Sequence, residues 1–370
     1  MKKFLSISLM AVLLLSSCVE ENVIERSDDH AIVFENTFVD KATRSDITTD
    51  NIDEFSVYGY KNSWLGILWE NERVYKRETT NDATGQSYAT PTSDLGSYPQ
   101  QTGWTYDNLA YWEEGNSYYF HGIAPYEDKN DSQSWTFVPD KPNTNPGPVT
   151  GTISVNNSNF DLVYAYHQRD VEEGGLGSYV SEQPDPINFT FQHLFARVRI
   201  RIINELSNKY NTIYIMNLKT SQLVTEASAK VPFTNNVEWV LGDEKSSIAC
   251  LSGNEVRYLY HSDYDGTLAN ENSFKGEYIS EPFYVIPQSL VAVQNLFTFT
   301  AIQYYYLMGG KSKMIQANMA DDFTFEAGKS YQFTVRLTDR NFFELFHLIQ
   351  FDDIEVTDWE EDVEGDITYY

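Results

Sequence analysis

Short stretches in which apolar and polar residues alternate run through most of the chain, and stretches with a helical period are hard to find. In "HAIVFENTF", residues 30–38, Ile32, Phe34 and Phe38 fall on one face. "FSVYGY" (55–60) reads as the next strand. In "YWEEGNSYYFHGIAPY" (111–126) a turn at Gly115-Asn116 leads into a strand that stops at Pro125. "WTFVP" (135–139) and "DLVYAY" (161–166) follow. Further on, "INFTFQHLFARVRIRII" (187–203) predicts a strand, then a second with Ala196, Val198, Ile200 and Ile202 inward and Arg197, Arg199 and Arg201 on the solvated side. More strands are expected at 212–220, 228–233, 236–240, 278–286, 295–307, 329–338 and 346–358. The alternation is plain at Tyr331, Phe333, Val335 and Leu337 against Gln332, Thr334 and Arg336. Residues 79–103, 140–151 and 170–186 are rich in glycine, proline, small polar or acidic residues and read as loops. Many short strands with regular turns predict an all-β chain of two β-sandwich domains joined near residue 186.

The amino terminus breaks this pattern. Lys2 and Lys3 precede an apolar run of twelve residues, Phe4 to Leu15, too short to span a bilayer and suited to a secretory signal. Leu15-Ser16-Ser17-Cys18 resembles the lipobox of bacterial lipoproteins, so residues 1–17 are expected to leave and Cys18 to be acylated. Several acyl chains make a stable anchor where one binds only marginally. An ordinary signal with a chance cysteine is the other reading. Glu20 and Glu21 resemble the acidic stretch that follows the cysteine in surface-displayed lipoproteins, a likeness that implies the outer face of the outer membrane. A polar loop, "VDKATRSDITT" (39–49), then separates the strand at 30–38 from the strand at 55–60 and carries Arg44 followed by Ser45.

Composition narrows the partners. The chain holds 26 Tyr, 22 Phe and 7 Trp, a bias that fits pleated, half-buried surfaces. Its formal charge of −28 argues against nucleic acid or an anionic membrane surface. With Cys18 lipidated, Cys250 has no partner for a disulfide and reads as a buried, inert thiol.

Motifs that carry chemistry are missing. The six histidines, at 30, 121, 167, 193, 261 and 347, form no metal-binding spacing, and there is no Cys-x-x-Cys or Gly-x-Ser-x-Gly. "VEEGGLG" lacks the Lys-Ser/Thr of a phosphate loop, and Asp263 and Asp265 lack the later acidic ligands of a calcium loop. Neither a cofactor nor a metal is expected, and an enzyme is the least supported class.

Several stretches together resemble the fimbrillin family, the subunits of Bacteroidia-type (type V) pili. They are the lipobox, the Arg44 loop, "YWEEGNSYYFHGIAPY", "DLVYAY", "FQHLFARVRIRI", "FYVIPQSL" (283–290), "FEAGKSYQFTVRL" (325–337) and "IEVTDWEED" (354–362), in an order that extends from the signal to Trp359. The resemblance implies two tandem transthyretin-like β-sandwich domains, at 45–186 and 187–370, behind a propeptide at 18–44. It implies a lipid-anchored precursor on the outer membrane surface, cut by a trypsin-like protease between Arg44 and Ser45. The cut removes a strand carrying Ile32, Phe34 and Phe38, and the groove it leaves accepts a strand from another subunit of the fimbrium. Val363, Ile367 and Tyr369 alternate in an acidic tail that is a candidate donor, with stalk, tip and anchor roles all open. The rival class is a surface glycan-binding lipoprotein of a polysaccharide-uptake system, which needs an exposed aromatic platform and no cut at Arg44.

Overall fold

The computed structural model describes residues 31–358 apart from 36–37, 40–46, 48–51, 77–78, 82–86, 90–103, 131–132, 142–146, 157–158, 173–184, 222, 234–235, 252–254, 292–295, 306–308, 319–321, 344–348 and 351–352. The fold is all-β, as the alternation predicts, and the described residues add only the five-residue helix Asp339–Phe343.

A seven-stranded sheet dominates the first half. Its spatial order is Phe38–Val39, Thr190–His193, Val163–Val171, Asn116–Ala124, Glu54–Lys61, Ile67–Lys76 and Trp104–Thr105. The central strands are buried almost end to end because both faces of the sheet are covered. Phe55, Val57, Phe120 and Ala165 point into one core, and Tyr58, Tyr60, Tyr119, Ile123 and Tyr164 into another. A four-stranded sheet closes the second core, in the order Trp239–Leu241, Ala227–Val231, Gly151–Val155 and Trp135–Pro139. Pairings therefore cross residue 186: Phe38–Val39 and Val163–Val171 both join Thr190–His193, and Ala227–Val231 joins Gly151–Val155. The first core is closed by Ile32 and Phe34 together with Trp104, Tyr106 and Trp112.

In the second half a five-stranded and a six-stranded sheet share a third core. Ala196, Val198, Ile200 and Ile202 lie in it beside Tyr331, Phe333, Val335 and Leu337, as their alternation requires. The two strands that carry them, Ala196–Glu205 and Lys329–Thr338, run parallel over their full length. Arg197 departs from expectation. It is fully buried, because its end of the strand pairs with Tyr284 where Phe195, Tyr284 and Ile286 join the second core. Arg201 keeps the expected half-exposed position and pairs with Glu277. Within 79–103, expected to be loop, Thr79–Asn81 and Ser87–Ala89 form a hairpin. Gly151–Val155 is a strand that the proline-rich stretch before it concealed. Cys250 is half-buried against the third core, and burial pushes its thiol up to about 12.

Candidate functional site

Residues 31–35 lie between two separate parts of the chain, and Phe38–Val39 forms one margin of the seven-stranded sheet. Ile32 N–H donates to the Ala110 carbonyl at 2.9 Å, and Ala31 bridges to Tyr111. One residue later the partner changes. Ile187 N–H donates to the Val33 carbonyl at 2.7 Å, and Glu35 N–H donates to the Ile187 carbonyl at 2.9 Å. Phe38–Val39 then runs parallel to Thr190–Phe191 and forms the outermost strand of the sheet. Of the stretch expected to be a strand at 30–38, the described residues show bridges at Ala31 and Phe34 and a two-residue ladder from Phe38. The alternation between 110 and 187 is that of an extended strand with a neighbour on each side, because successive residues turn their backbone N–H and C=O to opposite edges.

Its apolar side chains enter the first core. Ile32 and Phe34 are 1% and 2% exposed, values that make them part of the interior and not a surface coat. The Phe34 ring lies between Phe55, Trp69, Tyr106 and Phe189, with centroids 5.6–6.1 Å away, stacked on Phe189 and edge-on to Phe55 and Tyr106. The Tyr106 hydroxyl donates to the Ile32 carbonyl at 2.5 Å. Burial pushes that phenol above its ordinary range, so it stays protonated and able to donate. Inward residues Ile187, Phe189 and Phe191, all fully buried, form the wall beside the segment. Ile32 and Phe34 thus fill an aromatic slot whose margins carry backbone donors and acceptors.

The chain after the Arg44 loop is held independently. Ile47 N–H donates to Asp161 Oδ2 at 2.9 Å, while Asp161 Oδ1 lies 2.9 Å from Nδ1 of the buried His193. Ile52 is buried in the first core. The sequence-predicted residues are therefore only partly brought together. Ile32 and Phe34 share one slot and Phe38 lies on the sheet margin, whereas Cys18, Arg44, Ser45, Val363, Ile367 and Tyr369 lie outside the described residues. Sequence reasoning missed Tyr106, Ala110, Asp161 and Ile187 as partners. Only the aromatic density of "WTYDNLAYW" (104–112) signals that this stretch covers a core.

A family model described as "Fimbrillin-like" matches residues 41–359. No curated protein matches the chain. Among solved structures, a fimbrial protein from Bacteroides vulgatus is 13% identical, with 89% of this chain and 99% of that one covered at a TM-score of 0.44. A candidate cell adhesion protein from Bacteroides uniformis is 15% identical, with 90% and 98% covered at a TM-score of 0.41.

Proposed function

The chain belongs to the fimbrillin-like family, and on that premise we propose that it is a cell-surface pilus subunit whose residues 30–38 are a removable plug. In this reading the precursor is exported as a lipoprotein through Cys18, cut after Arg44, and assembled when a strand from another subunit replaces the plug. The observation that carries it is the burial of Phe34 within a ring of four aromatic side chains by a segment that precedes a polar, basic loop. A segment added merely to extend the sheet has no need to enter the core.

Energetics favour a plug that is stable yet replaceable. Burying Ile32 and Phe34 contributes about 1.5–3 kcal/mol each, or roughly 3–6 kcal/mol together, before the backbone hydrogen bonds to 110 and 187. Loss of the plug exposes the slot and makes Thr190–His193 the margin of the sheet, a template for another chain. Charge has little part in the switch. Residues 1–44 carry five basic and seven acidic side chains, so their removal moves the formal charge from −28 to −26. The hold of Asp161 on Ile47 keeps the new amino terminus on the body after the cut. The test is the amino-terminal residue of the protein recovered from the cell surface. Ser45 supports the reading. A surface population beginning only at acylated Cys18 leaves the plug in place and contradicts it.

A further inference from the structure

A cleft of about 800 Å³ opens where the end of strand Thr190–His193 meets Trp239–Leu241 and the loop before Lys329, and it shares none of the aromatic lining of the plug slot. The half-buried rings of Phe233 and Trp239 line it. Each is supported from behind: Phe233 lies against Tyr164, with centroids 5.4 Å apart, and Trp239 against Phe195 at 5.7 Å. Such backing holds both rings in place at no further ordering cost when a ligand arrives. Around them stand the exposed amides of Gln192 and Asn236, the exposed carboxylate of Glu326, and Lys329.

The chemistry of this lining selects a ligand class. Glu326 and Lys329 offset each other, and His193 in the same lining is paired with Asp161, so the cleft offers nothing special to a phosphate, and a chain of charge −28 repels polyanions. Its polar side chains make it a poor receptacle for a lipid tail. Amides both donate and accept, as do hydroxyl groups, and aromatic faces receive the C–H faces of a pyranose ring. Among the described residues the buried Nε1 of Trp239 has no acceptor, so a ligand hydroxyl that reaches it supplies the partner it lacks. The volume lies within the range of small-ligand sites, about 300–1,000 Å³. We propose that this cleft binds a short uncharged oligosaccharide, with Phe233 and Trp239 as the stacking surfaces and Gln192, Asn236 and Glu326 as the hydroxyl-recognising groups. The proposal stands apart from the pilus reading, because nothing in it depends on the plug.

Isothermal titration of the folded protein with maltotriose, cellotriose, chitotriose and N-acetyllactosamine at millimolar concentration tests it. At least one of the four is expected to bind, with Gln192→Ala and Asn236→Ala each weakening it about fivefold to tenfold. Both side chains are exposed, so the fold is expected to survive, and the same variants are expected to assemble normally after trypsin treatment. Trp239→Phe keeps a ring and deletes the N–H, and a similar loss is expected. Absence of binding by all four sugars overturns the proposal, as does binding that all three variants leave unchanged. Capture of the peptide "HAIVFENTF" in place of a sugar, weakened by Trp239→Phe, also overturns it, in favour of a polypeptide ligand.

Discussion

Truncating Phe34 to alanine probes the plug most sharply, because the ring belongs to the removable segment and its neighbours belong to the body. Phe34 is 2% exposed and meets Phe55, Trp69, Tyr106 and Phe189 within 6.1 Å. Those four rings are themselves buried and held by sheet strands or by further ring contacts, so the site collapses little when the phenyl group is removed. A Phe→Ala change in such a site costs about 3–5 kcal/mol. Denaturant unfolding of the uncut precursor is expected to show that loss, reported by the tryptophans at 69, 104 and 112 that line the same core. In protein cut with trypsin and stripped of its plug, the parent and variant become the same molecule and unfold identically. The peptide "HAIVFENTF" is expected to rebind the emptied slot, and its Phe34→Ala version to bind more than about a hundredfold more weakly. A loss below about 1 kcal/mol in the precursor, or equal binding of the two peptides, refutes the reasoning.

Other consequences follow from single contacts. Tyr106→Phe removes the hydroxyl that donates to the Ile32 carbonyl, so the uncut precursor is expected to lose about 0.5–1.5 kcal/mol and the cut, plug-free protein almost nothing, by urea unfolding. Gly59→Ala places a Cβ 2.6 Å from the ring of Trp69, which Phe34 and Tyr106 hold in place, and is expected to destabilise by about 1–3 kcal/mol in the same assay. His121 is buried, with Nδ1 2.9 Å from the Tyr164 hydroxyl and Nε2 3.1 Å from the Val149 carbonyl, and burial pushes its pKa down to about 3. Above pH 6.5 the imidazole is neutral in both states; as pH falls from there toward 3 only the unfolded state gains the proton. Stability from this group is therefore lost on acidification through that window, by about 1.4 kcal/mol per pH unit, and the slope of urea midpoint against pH should flatten in His121→Gln.

Much of the strand inventory was legible because a period of two is a local property. "WTFVP" is the strand Trp135–Pro139, and the inward set from Tyr331 to Leu337 is the buried set. What the pattern does not carry is the identity of each partner. Ile32 meets Ala110 and Tyr106 more than seventy residues away, and its own alternation is equally compatible with any apolar wall. Arg197 illustrates the same gap from the other side. Its alternation with Arg199 and Arg201 marks a polar face, but only the pairing with Tyr284 decides that this end of the face is covered. For the candidate site, the apolar spacing of Ile32 and Phe34 was enough to place them on one face. The two partners on either side of the segment were not legible, since which stretches flank it is set by the fold and not by any residue in the segment.

The central claim is that removal of the segment before Ser45 turns a closed subunit into one that assembles, and trypsin titration of the folded parent and of Arg44→Ala tests it most directly. Polar linkers between strands are preferred nicking sites, so the parent is expected to be cut early between Arg44 and Ser45 and then to form a ladder of polymers on unheated gels. Arg44→Ala should resist that cut, remain folded and stay monomeric. Polymers formed by Arg44→Ala as readily as by the parent would contradict the account.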